Sequence, residues 1–209
     1  MYTIGILGGV ASGKSLVTRQ LAELGAGVLD ADQAGHETLD DQEVREALRK
    51  RWGNHAFTPD GRVDRKRIAE IVFSPSSEGD RERQFLEELV HPRIAKRLAD
   101  RRKELAAEEY SVVVLDAPLI LEAGWDRLCN RLVFVDATRE LRLARAAARG
   151  WSEEDVARRE AAQLPLEVKR ARADVTIDNS GTPQQTKAQI EQFWKSLAEQ
   201  DNPPLSPSA

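Results

Sequence analysis

The 209-residue chain has little of several residue types, and each scarcity excludes a class of protein. It contains one cysteine, Cys129, so it forms no internal disulfide and needs no oxidising compartment. Lysine and arginine total 31 against 35 acidic residues, and the formal net charge of -4 argues against nucleic acid as the main partner. No apolar run approaches the length of a membrane span, and Met1–Ser15 lacks the basic and apolar regions of a signal peptide. We therefore expect a soluble, cytoplasmic protein that binds neither nucleic acid nor membrane.

Short apolar segments alternate with longer amphipathic stretches along the chain. This alternation is typical of an α/β protein with a parallel sheet flanked by helices. The segments 112–115 and 131–135 are apolar without alternation, as expected of strands covered on both faces. The predicted strands are Thr3–Leu7, Gly27–Leu29, Val112–Leu115, Arg131–Val135 and Asp174–Ile177.

A phosphate-binding loop connects the first predicted strand to a predicted helix. Residues 8–15 read G-G-V-A-S-G-K-S, the full G-x-x-x-x-G-K-[ST] pattern in its required context. Glycines let successive N–H groups face a phosphate, and the helix N-terminus adds a partial positive charge. Lys14 is predicted to reach the β- and γ-phosphates, and the Ser15 hydroxyl to ligate Mg²⁺. The predicted site for ATP and Mg²⁺ comprises Gly9, Val10, Ala11, Ser12, Gly13, Lys14, Ser15 and Leu16.

A phosphate-binding loop alone does not identify what receives the phosphate. The guanine-binding tetrapeptide N-K-x-D of GTPases is absent, whereas the apolar segment Val112–Leu115 followed by Asp116 leaves an ATPase or switch open. An arginine-rich stretch favours a kinase, because kinases close a lid over ATP to exclude water. Three of its arginines, at i, i+3 and i+7, share one helix face and suit phosphate binding, although a solvated basic face is the alternative. The arginines are Arg139, Arg142, Arg145 and Arg149.

The division of the chain follows from these elements. About eighty residues separate the second and third predicted strands, too many for an ordinary crossover, and their apolar spacing predicts helices broken by the turn residues 74–79. We predict one kinase unit over 1–200, with its core at 1–35, 108–136 and 173–200. A helical insertion at 36–107 would hold the acceptor, and the lid would cover 137–172. The proline-rich tail 201–209 is expected to be disordered.

Short motifs recur in a fixed order between residues 3 and 182. They are the phosphate-binding loop with its doubled glycine, then Val28–Asp32, Asp60–Arg65, Val72–Phe73, His91–Ile94, Asp116–Glu122 and Ile177–Gly181. Each is weak alone, but in this order they resemble the dephospho-CoA kinase family. Two departures, Leu16 where threonine is frequent and the apolar pair Ile120–Leu121, touch no group that performs chemistry.

The resemblance implies transfer of the γ-phosphate of ATP to the ribose 3′-hydroxyl of dephospho-CoA, the last step of coenzyme A synthesis. It also implies a P-loop NTPase-type sheet of five parallel strands in the order 2-3-1-4-5, a helical CoA-binding insertion and a mobile lid. Another small-molecule or nucleotide kinase, or an ATPase switch acting on a protein partner, is the alternative. A monomer is the simplest expectation for a chain with a lid.

Residue roles follow from the resemblance and from position. We hypothesise that Asp32, at the carboxyl end of the second strand, accepts or orients the proton of the acceptor hydroxyl, and its alternative role is a helix N-cap. Arg145 and Arg149 are the lid residues expected to act with Lys14 in catalysis.

The resemblance also indicates where the substrates bind. Arg65, His91 and Pro118 are expected at the acceptor, and Asn179 and Gly181 near the adenine of ATP. Each has a plain structural alternative: Arg65 as a surface charge, His91 as a core residue beside the kink at Pro92, and the Asn–Gly pair as an ordinary turn. Asp116 acts on Mg²⁺ through water or caps a turn, and the sequence leaves both open.

Overall fold

The structure is a computed structural model that describes residues 1–74 and 76–200. The predicted disordered tail lies outside the described residues. The described helices are α1 Lys14–Glu23, α2 Ala31–Asp40, α3 Gln42–Trp52, α4 Arg65–Val72, α5 Ser77–Ala107, α6 Arg139–Ala147, α7 Glu153–Ala161, α8 Leu166–Arg172 and α9 Pro183–Gln200, with 3₁₀ turns at Gly53–Ala56 and Trp125–Leu128. Within this part of the chain, no helix combines the length and apolar character that crossing a bilayer requires.

Five parallel strands form one sheet in the order β2-β3-β1-β4-β5, which confirms the predicted fold. The central strand β1 pairs with β3 from Tyr2 opposite Val112 and with β4 from Ile4 opposite Arg131. Each predicted strand matches within one residue at either end. The strands are β1 Tyr2–Gly8, β2 Gly27–Asp30, β3 Val112–Asp116, β4 Arg131–Asp136 and β5 Val175–Asp178. Because all run the same way, their carboxyl ends meet at one edge, where open α/β sheets bind their ligands.

The chain divides into two compact units. The first, called here the sheet unit, comprises Met1–Asp30 and the chain from Arg101 onward, and the second, the helical unit, is Ala31–Asp100. The insertion was predicted at 36–107. Its observed start at 31 reflects α2, which follows β2 directly. Helix α5 continues through Pro92 and crosses the boundary at Arg101.

The core of the sheet unit packs one sheet face against α1 and α9. Alternate residues of β1, Ile4 and Ile6, are fully buried there, as the period of a strand requires. Helix α1 ends at Glu23, and the φ of +106° at Gly25 lets the N–H groups of Gly25 and Ala26 bond to the carbonyls of Ala22 and Leu21. The cluster contains Ile4, Ile6, Val17, Leu21, Ala26, Val112, Val114, Val133, Val135, Ile177, Ile190, Phe193, Trp194 and Leu197.

The helical unit has a smaller core of its own, built on Val44, Leu48, Ala56, Phe57, Ile68 and Val72. Asp64 caps α4 by accepting from the N–H groups of Lys66 and Arg67. The predicted break at 74–79 is shorter than expected, because Ser77–Gly79 forms the first turn of α5. A Cβ on Gly79 would lie 2.1 Å from the Ser74 carbonyl oxygen, so the glycine permits this tight entry to the helix.

Sequence signals also locate the helices after β4. Thr138 caps α6 through its hydroxyl, and Ser152 forms a capping box of α7 with Asp155. Pro183 occupies the first position of α9. These caps confirm that the arginine-rich stretch is helical.

Candidate active site

The phosphate-binding loop has a strained backbone. Ala11 and Gly13 have φ angles of 58° and 104°, and holding a non-glycine residue in this region costs about 1–3 kcal/mol. Among the described residues, no hydrogen-bond partner is found for the backbone N–H groups of Val10, Ala11 or Gly13. Amide donors in a loop at the start of a helix suit phosphate oxygens.

Lys14 lies over the loop. Its ammonium group donates to the carbonyl oxygens of Gly8 at 3.3 Å and Gly9 at 3.1 Å. A lysine on a flexible stem exchanges such carbonyl partners for phosphate oxygens without moving the backbone. The geometry therefore agrees with the phosphate-binding role predicted for Lys14.

Asp116 stands at the carboxyl end of β3 beside the loop. Its Oδ2 accepts a hydrogen bond of 2.9 Å from Thr18 of α1. Burial raises the pKa of Asp116 above the ordinary aspartate value, while Thr18 and Lys14 act in the opposite direction and Asp30 reinforces the rise. The carboxylate thus faces α1 and Lys14, which favours the magnesium-linked role that the sequence left open.

Arg145 and Asn179 hold the phosphate-binding loop in place through hydrogen bonds to its backbone. Arg145 donates to the carbonyl oxygens of Ser12 at 3.0 Å and Asn179 at 2.8 Å. The Asn179 amide donates to the same Ser12 oxygen at 2.7 Å and accepts from Thr186 at 3.0 Å. Asn179 is 3% exposed, and a Cβ on Gly13 would lie 2.1 Å from its Nδ2. The invariant glycine of the motif is needed here because the asparagine occupies that space.

The predicted lid arginines differ from one another. Arg142 is 5% exposed, forms an ion pair with Glu160 of α7 and donates to the Val10 carbonyl at 3.4 Å, so it is an interior residue. Arg149 is exposed, and its guanidinium lies 5.7 Å from the ring centroid of Trp151. The three arginines therefore differ in burial and in their contacts, and a shared role in phosphate binding stays a prediction. Of the two chosen lid residues, the structure brings Arg145 to the loop, and it leaves Arg149 on Trp151.

Three predicted residues lie in the helical unit. Asp32 is exposed in the first turn of α2, two residues after β2 ends at Asp30, so it is neither at the strand end nor the helix N-cap. Arg65 is the exposed first residue of α4. His91 is partly buried in α5, and Pro92 does not end that helix.

Comparison with known proteins identifies the family. The family model for dephospho-CoA kinase matches residues 2–185. The chain belongs to the dephospho-CoA kinase family. A dephospho-CoA kinase of Geobacter sulfurreducens is 39% identical over 93% of this chain and 98% of its own length, and one of Symbiobacterium thermophilum is 40% identical over 93% and 81%.

Solved structures agree on the fold. A Thermus thermophilus protein superposes with a TM-score of 0.79 and 33% identity over 94% of this chain and 97% of its own. The dephospho-CoA kinase of Campylobacter jejuni has a TM-score of 0.69 over 95% and 98%, and at 23% identity it supports the fold alone. Within the dephospho-CoA kinase family, the sheet order and the loop at the end of β1 are therefore as expected.

The residues present fit a magnesium ion that arrives with a nucleotide. Within residues 1–74 and 76–200 there is no group of three or more histidine, cysteine or carboxylate side chains that could hold a metal. The Ser15 hydroxyl, exposed at the start of α1, and the Asp116 carboxylate are hard oxygen donors of the kind that Mg²⁺ prefers. Mg²⁺ keeps several waters and shares substrate phosphates, so few protein ligands suffice.

Sequence reasoning missed two contacts of this dephospho-CoA kinase family member. Thr18, which donates to Asp116, lies one helical turn after Ser15 on α1. Lys169 of α8 donates to the Pro118 carbonyl at 3.4 Å and is 2% exposed. No local sequence signal marks Lys169 as buried, because its ion-pair partner Glu122 lies in a distant segment of the chain.

Proposed function

We propose that the protein transfers the γ-phosphate of ATP to the ribose 3′-hydroxyl of dephospho-CoA, which yields coenzyme A. The observation that carries the proposal is the family match over residues 2–185. The loop amides of Val10, Ala11 and Gly13 support it, because they lie at the start of α1, the position at which a P-loop kinase binds phosphate.

Phosphate binding would begin with the loop amides and Lys14. The ammonium group would leave the Gly8 and Gly9 carbonyls, 3.3 and 3.1 Å away, for the β- and γ-phosphate oxygens. Catalysis of phosphoryl transfer is largely positioning and stabilisation of charge, and a fixed loop provides both without reorganising.

Ser15 and Asp116 would hold magnesium, Ser15 directly and Asp116 through water. The ion would supply positive charge that offsets the charge of the phosphates. Thr18 donates to Asp116 Oδ2 at 2.9 Å and so orients the carboxylate.

The acceptor side rests on the resemblance and on position. Asp32 would accept or orient the proton of the 3′-hydroxyl, as the catalytic aspartate of a kinase does, and its exposure leaves the carboxylate accessible. Arg65, His91 and Pro118 would contact dephospho-CoA.

The arginines would act at two stages. Arg145 holds the loop that receives the phosphates, through Ser12 at 3.0 Å. Arg149 would exchange the Trp151 ring for phosphate oxygens when the lid closes, since a cation–π contact at an exposed site is worth only about 0.5–1 kcal/mol.

The turn at Asn179 and Gly181 would border the adenine. We expect the protein to act as a monomer in the cytoplasm.

The test measures ADP formation with Mg-ATP alone and with single acceptors: dephospho-CoA, nucleoside monophosphates, shikimate and pantothenate. We expect ADP only with dephospho-CoA, together with coenzyme A in equal amount. Release with every acceptor, or without any, would contradict the proposal and favour the ATPase.

The same assay examines Asp32. We expect Asp32→Asn to lower turnover strongly while the Kd for ATP stays within about twofold, since a base acts on the acceptor in the transition state and not on the nucleotide. Loss of ATP binding in this variant would remove the assignment of Asp32 as the base.

A further inference from the structure

Lys169 is a charged side chain in the interior of the sheet unit. It is 2% exposed, and an ammonium group buried this deeply needs a partner for each of its three hydrogens. The partners are the carboxylate of Glu122 at 3.1 Å, the side-chain oxygen of Gln163 at 2.9 Å and the carbonyl oxygen of Pro118 at 3.4 Å. The contacts with Gln163 and Pro118 are hydrogen bonds, and the contact with Glu122 is an ion pair.

These partners come from two separate segments. Pro118 and Glu122 belong to the turn after β3, whereas Gln163 lies in the connection between α7 and α8. Glu122 also accepts a hydrogen bond of 2.7 Å from the backbone N–H of Leu164. One ammonium and one carboxylate thus fasten the turn after β3 to the predicted lid.

Stability alone does not account for this cluster. Buried ion pairs contribute little net stability relative to apolar residues of the same volume, but their geometry is exacting. An exposed pair, Arg172 with Asp126 at 2.6 Å, already links α8 to the 3₁₀ turn that follows the same segment. The two pairs differ in burial, since the side chain of Arg172 is 60% exposed.

The cluster lies close to the phosphate-binding loop. Leu166, one helical turn before Lys169, packs against Gly9, where a Cβ would lie 3.1 Å from Leu166 Cδ2. A shift of α8 would therefore be felt both at Gly9 and at Pro118, the residue expected beside the acceptor.

We propose that Lys169 is a positioning residue for phosphoryl transfer, which holds the turn carrying Pro118 against the α7–α8 connection through Glu122 and Gln163. It touches no reacting atom. By fixing this turn, it keeps the acceptor hydroxyl, and not water, in line with the γ-phosphate. The inference rests on the proposed function and names how the same site excludes hydrolysis.

The test compares Lys169→Met with Arg172→Met in the full chain. Methionine keeps much of the volume and removes the ammonium, and Arg172 is a matched control because it joins α8 to the same region at the surface. The readouts are the ratio of ADP to phosphorylated acceptor, the KM for dephospho-CoA, the KM for ATP, and Tm. For Lys169→Met we expect the ratio to rise above one and the acceptor KM to rise about tenfold, which corresponds to about 1.4 kcal/mol, with the ATP KM nearly unchanged. Arg172→Met should leave all four close to the parent values.

A lower Tm with an unchanged ratio and unchanged acceptor KM would overturn the proposal, because a structural role lowers only the folded fraction. If Lys169→Met does not fold, Glu122→Gln is the second variant, since it keeps both oxygen-acceptor contacts and removes the charge. It should raise the ratio in the same direction but less, and an unchanged ratio would again overturn the proposal.

Failure of the proposed function is distinguishable from failure of this inference. If the parent protein phosphorylates a different acceptor, the proposed function is wrong. The role of Lys169 is then tested by the ratio of ADP to phosphorylated product with that acceptor. If the parent hydrolyses ATP with no acceptor requirement, both are wrong.

Discussion

Charged side chains act differently in the two compact units. In the sheet unit, Arg142 and Lys169 are 5% and 2% exposed and donate to backbone carbonyls as well as to carboxylates. In the helical unit, Arg93 also donates to a backbone carbonyl, that of Leu89 at 2.8 Å, but Arg93 and Arg97 form their ion pairs with about a third of each side chain exposed. The two units therefore differ in how deeply these charges are buried, and an exposed ion pair adds only about 0–1 kcal/mol.

The reason lies in the backbone that each unit must hold. Regular helices satisfy their own N–H and C=O groups, so the helical unit needs little beyond an apolar core. The loop at residues 8–15 holds Ala11 at a φ of 58° and turns amides away from carbonyl partners. Such strain persists only where neighbours over-determine the conformation. Substitutions of the residues that hold the loop, such as Asn179, should therefore change the rate of phosphoryl transfer. Substitutions in the exposed ion pairs of the helical unit should change it little.

The largest effect is expected at Asp116. We predict that Asp116→Asn lowers kcat about 100-fold, the size of losing one preorganised electrostatic group, because the amide cannot orient a metal-bound water as a carboxylate does. Single-turnover kinetics with Mg-ATP and dephospho-CoA measure this. Thr18→Val is the matched control: it removes the hydrogen bond to Asp116 and keeps the charge, so its loss should be much smaller. Equal losses of kcat in the two variants would mean that Asp116 acts through its hydrogen bond with Thr18 and not through its charge.

The same substitution should stabilise the fold at neutral pH. Burial raises the folded-state pKa of Asp116, so as pH rises past the ordinary aspartate value the unfolded chain loses this proton first. Stability falls across the window between the ordinary and the raised pKa, and the deficit remains above it. Asp116→Asn does not titrate, so its Tm advantage over the parent should be small below that window and should grow through it. A constant difference across pH would contradict the raised pKa.

An intermediate effect is expected at Asn179. Asn179→Ala removes the 2.7 Å bond to the Ser12 carbonyl, which should cost about 1–3 kcal/mol of stability and loosen the loop. Thr186 keeps other acceptors, the Thr182 and Asp178 carbonyls. If Asn179 braces the loop, kcat/KM should fall about tenfold with ATP and with GTP alike, a change of about 1.4 kcal/mol.

A comparison of ATP with GTP distinguishes the two possible roles of Asn179, which are to hold the loop in place and to recognise the adenine base. A loss with ATP that spares GTP would mean that Asn179 reads the adenine, as the resemblance implied. Ser180→Ala, in the same turn, is the control and should leave both nucleotides unaffected.

Asn179 also shows which features of the fold and the site could be predicted from the sequence. Local patterns specify local structure: the phosphate-binding loop and the strands were predicted, because the residues that specify each of them lie within a few positions of one another. The order of the motifs predicted the sheet topology through the family. The contact of Asn179 with Ser12 joins residues 167 positions apart, and no spacing rule specifies it.

Burial of charge was the second failure of prediction. Lys169 was not singled out from the sequence, and Arg142 was grouped with the other arginines of the predicted lid. Whether a long cationic side chain points outward or inward depends on a carboxylate elsewhere in the chain, here Glu122 and Glu160. The predicted bounds of the insertion stay a prediction, and nothing in the sequence between Asp30 and Ala31 marks the end of a strand that runs directly into a helix.

The smallest effect is expected on the surface of the helical unit. We predict that Arg97→Met, which removes the pairs with Asp41 and Glu37, changes the free energy of unfolding by at most about 1 kcal/mol and leaves kcat unchanged. Its neighbour on α5 is the control: Leu98 is 4% exposed, and Leu98→Ala should cost about 2–5 kcal/mol. Urea unfolding followed by tryptophan fluorescence measures both. A loss of unfolding free energy for Arg97→Met as large as that for Leu98→Ala would mean that surface charge holds the helical unit together. Charged side chains would then stabilise both units, and they would differ only in how deeply they are buried.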